Sequence, residues 1–164
     1  MLTKDGIPSA EDLCGVTPHA GRLEQGPVAV IECFQEIPCN PCADACPRGA
    51  ITMPGNISAR PTFEESKCNG CAICVTRCPG LAIFIVDFSY SESEAMLKIP
   101  YEFSPLPEVA EEVEALDRAG KSAGCARVLR VQQQANKTTV LWLTVPKNIA
   151  LDVRNIRRKL GAIS

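Results

Sequence analysis

Cys68-Asn69-Gly70-Cys71-Ala72-Ile73-Cys74-Val75-Thr76-Arg77-Cys78-Pro79 is the stretch from which the rest of the chain is read. Its spacing is C-x2-C-x2-C-x3-C-P, a ligand run for a cubane [4Fe–4S] cluster. Three thiols two residues apart wrap a loop round one cluster. The fourth, carried on the helix that follows, points away and serves a second cluster, so the run predicts a partner elsewhere. Cys39-Asn40-Pro41-Cys42-Ala43-Asp44-Ala45-Cys46-Pro47 supplies it, closed by the same Cys-Pro pair.

The composition agrees with metal-bound thiols. The chain has 164 residues, 46% hydrophobic and 22% charged, which is the range of a folded globular protein rather than a disordered tail. A net charge of -2 supplies no electrostatic case for nucleic acid or a membrane surface. Ten cysteines pose a choice between disulfides and metal. The opening Met1-Leu2-Thr3-Lys4-Asp5-Gly6 has no apolar signal segment, and no apolar run is long enough to span a bilayer. The expectation is a cytoplasmic protein. Zinc is the competing use of the thiols, with Cys39, Cys42, Cys68 and Cys71 as a tetrahedral set. That set leaves Cys46, Cys74 and Cys78 idle.

Residues 1–26 are rich in Gly, Pro and small polar residues and read as an extended arm lying on the core or on a partner, with Cys14 an uncommitted thiol and His19 a surface or capping residue. Residues 28–34 form a β-rich run, residues 42–46 a short helix stopped by Pro47, and residues 50–53 a strand. After the second cysteine run, residues 81–87 are a further strand. Strand, cysteine loop, helix and strand thus occur twice, an internal repeat of roughly thirty residues. On these motifs, residues 27–90 resemble the two-cluster bacterial ferredoxins.

That resemblance implies one cluster on Cys46, Cys68, Cys71 and Cys74, and a second on Cys39, Cys42, Cys78 and one more ligand. The ferredoxin pattern expects the missing thiol three residues before Cys39, where this chain has Glu36. Cys33 through a C-x5-C loop, Glu36 as a carboxylate, Cys14, a three-iron centre, or no second cluster remain open. Iron's preference for thiolate and the short loop favour Cys33.

Residues 91–164 read as a small β-rich domain with a C-terminal helix, making the whole chain α+β. Residues 97–103 alternate like a strand, and residues 127–131 and 139–145 form a hairpin, with Trp142 in the core of this domain. Residues 108–119 fit a helix or a strand, and the Asp117-Arg118-Ala119-Gly120 turn favours the strand. Cys125 is read as a small buried or bystander residue. At the end, Asn148 is placed to cap an amphipathic helix with Ile149, Val153, Ile156 and Leu160 on one face, ended by Gly161. Arg154, Arg157, Arg158 and Lys159 give that helix a basic face, either solvated or offered to an acidic redox partner.

No Gly-rich nucleotide motif follows a strand, and no Ser/His/Asp grouping is present, so electron transfer rather than catalysis is expected. Residues 31–42, Ile31-Glu32-Cys33-Phe34-Gln35-Glu36-Ile37-Pro38-Cys39-Asn40-Pro41-Cys42, are similar to the ferredoxin-like small subunit of multisubunit flavin-dependent amino-acid dehydrogenases of the proline, hydroxyproline and opine oxidase type. Residues 78–84 and the ending from Val145 to Ile156 share that likeness. The resemblance implies two [4Fe–4S] clusters, Cys33 in the ligand set, FAD or FMN on partner flavoprotein subunits, and electrons passed to an external acceptor. A free-standing ferredoxin-type carrier is the alternative.

Overall fold

A computed structural model of the chain describes residues 2–158. Nine strands and five short helices follow one another, and seven of the strands form one antiparallel sheet in the order β1-β4-β5-β8-β7-β6-β9. The cysteine region contributes β1 (Val28–Ile31), α4 (Pro41–Asp44), β2 (Ile51–Thr52), β3 (Thr62–Phe63), α5 (Ile73–Arg77) and β4 (Ile83–Asp87). Its repeat closes symmetrically: β1 pairs with β4, β2 pairs with β3, and α4 packs on α5. Both helices are short because each is flanked by cysteines that must leave helical geometry. Pro41 opens α4, while α5 starts after Ala72 at φ +69° and ends at the extended Cys78.

The sheet runs unbroken past residue 90, the expected domain boundary. β4 pairs with β5 (Glu94–Tyr101), β5 with β8 (Thr139–Pro146), and β8 with β7 (Ser122–Gln133). Beyond these, β6 (Glu112–Leu116) joins β7 to β9 (Asn155–Arg158). Residues 108–119 therefore resolve as the strand side of their ambiguity, with Val113 and Ala115 buried. Alternate side chains separate two cores. Val28, Val30, Phe84, Val86, Leu97, Ile99, Leu141 and Leu143 face one; Ala29, Ile31, Ile83 and Ile85 face the other, with the cysteines. Burial on both faces explains why β4 is apolar throughout instead of alternating.

Bulges at Ala115/Leu116 and Val128/Arg130 add local bend, and the first core gathers residues from β1 through β9. The curl brings the two ends of the sheet together. Glu32, just after β1, is 8% exposed and accepts hydrogen bonds from Arg118 at 2.6 Å and from Arg154. Arg118 also donates to the Leu151 carbonyl, and Arg154 lies over the Phe84 ring at 4.5 Å. Burial alone would raise the Glu32 carboxyl pKa, but the two guanidiniums outweigh it and hold the group below the usual carboxylate range.

Three sequence expectations are corrected. Residues 148–158 do not form a helix: Lys147–Ile149 is a single 3₁₀ turn, and Asn155–Arg158 pairs with the free edge of β6. The i, i+4 and i+7 spacing of Ile149, Val153 and Ile156 suits a helix, yet the unpaired strand edge offers backbone partners that a helix would leave unused. Lys159, Leu160 and Gly161 lie outside the described residues. The basic face is not free either, since Arg154 pairs with Glu32, Arg157 with Glu114 and Arg158 with Glu111. Finally, the N-terminal arm is not extended but folds into α1 (Leu2–Asp5), α2 (Ala10–Cys14) and α3 (Ala20–Leu23), with Leu23 buried in the first core.

Candidate metal centres

Two cavities lie on the cysteine face of the sheet, and each draws thiols from both runs. The first is lined by Cys46, Cys68, Cys71 and Cys74, with Ala29, Ile51, Phe63 and Ile85 among its apolar walls. Cys46 comes from the first run, and the other three from the second. In the second cavity, Cys33, Cys39 and Cys42 are joined by Cys78 across the repeat, against Ile31, Ile37, Pro61 and Ile83. Neither Glu36 nor Cys14 lines it; both are exposed. The tetrahedral zinc set is split, with Cys39 and Cys42 in one cavity and Cys68 and Cys71 in the other. Cys125 is exposed on β7 and lines neither cavity, so the buried reading of it does not hold.

Backbone amides point at three of these sulfurs: Ala50 N–H at Cys46, Gly70 N–H at Cys68 and Ala82 N–H at Cys78, at 3.3 to 3.4 Å. Burial pushes the Cys74 thiol up to about 12, with the neighbouring Cys68 and Cys71 adding to the rise. Cys33 and Cys42 are also raised, first by burial and then by the thiols around them. Cys46 ends lower than its ordinary value. Burial acts against this, but the amides of Arg48, Ile51, Ala50 and Gly49 outweigh it together. Sulfurs crowded in a dry pocket repel one another when ionised and need a bound cationic centre to offset that charge. Four thiols lining a largely apolar cavity are the donor set of an iron–sulfur cluster, whose usual ligand is thiolate.

Sequence reasoning missed the residues that hold the first ligand loop. Arg22, on α3, donates to the carbonyls of Glu65, Gly26, Pro27 and Cys68, the last at 2.6 Å. From the other side, the Lys98 ammonium on β5 donates to the Gly70 carbonyl at 2.8 Å. Trp142 lies on this cysteine face, not in a separate second core, with the Lys98 ammonium 4.2 Å from its ring centre and its own N–H donated to Gln132. Alternation along residues 97–99 put Lys98 opposite Leu97 and Ile99, but no local pattern reveals that this opposite face is covered. His19 is exposed and meets Glu65 at 2.8 Å, in keeping with a surface role.

Gly70 sits at φ +65°, and a Cβ there would come within 2.8 Å of the Pro27 carbonyl carbon and 2.9 Å of its oxygen. Gly70→Ala is therefore expected to destabilise the protein by about 1–3 kcal/mol and to loosen the ligand loop. Urea unfolding and iron retention during dialysis would read both effects; wild-type values in both would refute the close approach.

The fold and cavities define a ferredoxin-like iron–sulfur protein suited to electron transfer. Residues 37–82 match the 4Fe-4S dicluster domain family. The chain is also similar to the "Ferredoxin-type protein NapF" of Haemophilus influenzae, 38% identical over 61 residues, which covers 36% of this chain and 35% of that protein. The match thus spans about a third of each. No solved structure matches significantly. Among the described residues, no helix is long and apolar enough to cross a membrane.

Proposed function

We propose that this chain is the electron-transfer subunit of a multisubunit flavin-dependent dehydrogenase, relaying single electrons from a flavin subunit to an external acceptor. In this reading Cys46, Cys68, Cys71 and Cys74 hold one [4Fe–4S] cluster, and Cys33, Cys39, Cys42 and Cys78 hold a second. The observation that carries the relay is the reciprocal exchange of Cys46 and Cys78 between the two runs, so that each of two cavities is lined by four thiols drawn from both runs. Bound clusters supply one-electron chemistry with little change in geometry, tuned by hydrogen bonds, charge and solvent exposure. The protein's part is to bind them, keep the cavities dry and aim amides at the sulfurs. FAD or FMN belongs to partner subunits, and the complex is cytoplasmic.

A subunit of a complex also accounts for residues 91–164, whose strands extend the sheet well beyond what the two cysteine repeats require. The likeness to a ferredoxin-type protein favours a second reading, a free-standing carrier. Anaerobic affinity purification from the native host separates them. Flavoprotein subunits eluting in fixed ratio, with the iron absorbance bleached by an amino-acid substrate, would support the dehydrogenase subunit. A brown, flavin-free monomer would overturn it in favour of the carrier.

A further inference from the structure

Lys98 is a buried lysine without a contact ion pair; the Asp87 carboxylate and the Cys68 and Cys71 sulfurs act on its charge only from a distance. Only 7% of the residue is exposed, and among the described residues no carboxylate lies within ion-pair distance. Leaving an ammonium in such a place is costly unless nearby negative charge compensates it. Its direct partners are the Gly70 carbonyl, between Cys68 and Cys71, and the face of Trp142. Strand register shows what it is aimed towards. Ala29, Ile85, Lys98, Trp142 and Arg130 form one cross-strand row through β1, β4, β5, β8 and β7. Ala29 and Ile85 in that row are walls of the Cys46/Cys68/Cys71/Cys74 cavity.

We infer that Lys98 is an electrostatic positioning residue for this cavity, raising the reduction potential of the cluster bound there through its buried positive charge. The inference rests on the two-cluster reading above. In the step concerned, one electron passes from the reductant to the cluster; the reductant is oxidised by one electron, and no bond is made or broken. Reduction adds a negative charge, which a cation held in low dielectric stabilises more strongly than the oxidised form. The ammonium's lodging on β5 and its bond to the ligand loop also keep that loop in register.

Redox titration of the anaerobic, iron-loaded full chain, followed by electron paramagnetic resonance, tests this on Lys98→Met, Lys98→Gln and Lys98→Arg. Met and Gln are expected to lower the potential of one cluster by about tenfold in its reduced-to-oxidised ratio, ~59 mV for one electron, with the other cluster unmoved. Arg should restore the wild-type value. Equal movement of both clusters, no movement, or a shift in Met that Gln reverses would each overturn the charge role. Failure of both neutral variants to retain iron would assign Lys98 to folding and likewise overturn it. Wild-type protein without iron–sulfur signals would sink the cluster reading itself, a distinct result from two intact signals indifferent to residue 98.

Discussion

Replacing Cys33 with alanine is expected to lower iron from about eight atoms per chain to about four, since on the proposed two-cluster reading one cubane cluster would lose a ligand. Iron and sulfide analysis of anaerobically purified protein would show it. Cys14→Ser and Glu36→Gln should keep the full complement. The expectation follows from where the chain places these three groups: Cys33 shares a cavity with Cys39, Cys42 and Cys78, while Cys14 ends α2 and Glu36 faces solvent. Full iron in Cys33→Ala would end the assignment, and loss of iron in Glu36→Gln would pass it to the carboxylate.

Glu32→Ala should cost about 3–5 kcal/mol of unfolding free energy, because it leaves two guanidiniums buried without their shared carboxylate. The Arg118 and Arg154 side chains are only 13% and 9% exposed, so solvent cannot take over that role, and only Arg118 keeps another carboxylate, the exposed Asp152 at 3.3 Å. Glu32 immediately precedes Cys33 and ties β1 to the residues flanking β6 and β9. The same substitution should therefore make the second-cavity iron exchange faster than the first. Urea unfolding at neutral pH measures the first effect, and timed chelation the second. A loss below about 1 kcal/mol would mean that the triad behaves like an exposed ion pair. Because the folded carboxyl pKa is depressed, its contribution is fully present above the unfolded value of about 4.3 and is lost as pH falls through the lower folded value. The gap between wild type and Glu32→Gln should close over that acid range.

Most of the cysteine region's organisation was legible in the chain because its determinants are local. Cysteine spacing, Pro47 and Pro79, and the strand-loop-helix-strand repeat each act within a few residues of one another. The strands at residues 28–31, 83–87 and 139–146 were likewise visible as β-branched, apolar runs. Cys33 stood among several candidates for the fourth ligand, since a departure from the usual spacing says which residues are near in sequence but not which one turns inward.

The final segment and the polar supports depended on distant partners. An apolar spacing of three and four residues is compatible with a helix, and it took the open edge of β6 to draw Asn155–Arg158 into a strand. Arg22, Lys98 and the Glu32–Arg118–Arg154 triad carry no local signature, because the contacts that tie them to the cysteine region (Arg22 to Cys68, Lys98 to Gly70, Arg118 and Arg154 to Glu32) span 28 to 122 residues. By itself, then, the sequence marked out the two cysteine runs and most of the strands around them, through short-range spacing and steric preference. Only the tertiary structure decided which thiol completes the second cavity, that one sheet spans both halves, and which buried charges stand behind the ligand loops. Those outcomes depend on edges and faces that exist only once the chain has curled upon itself.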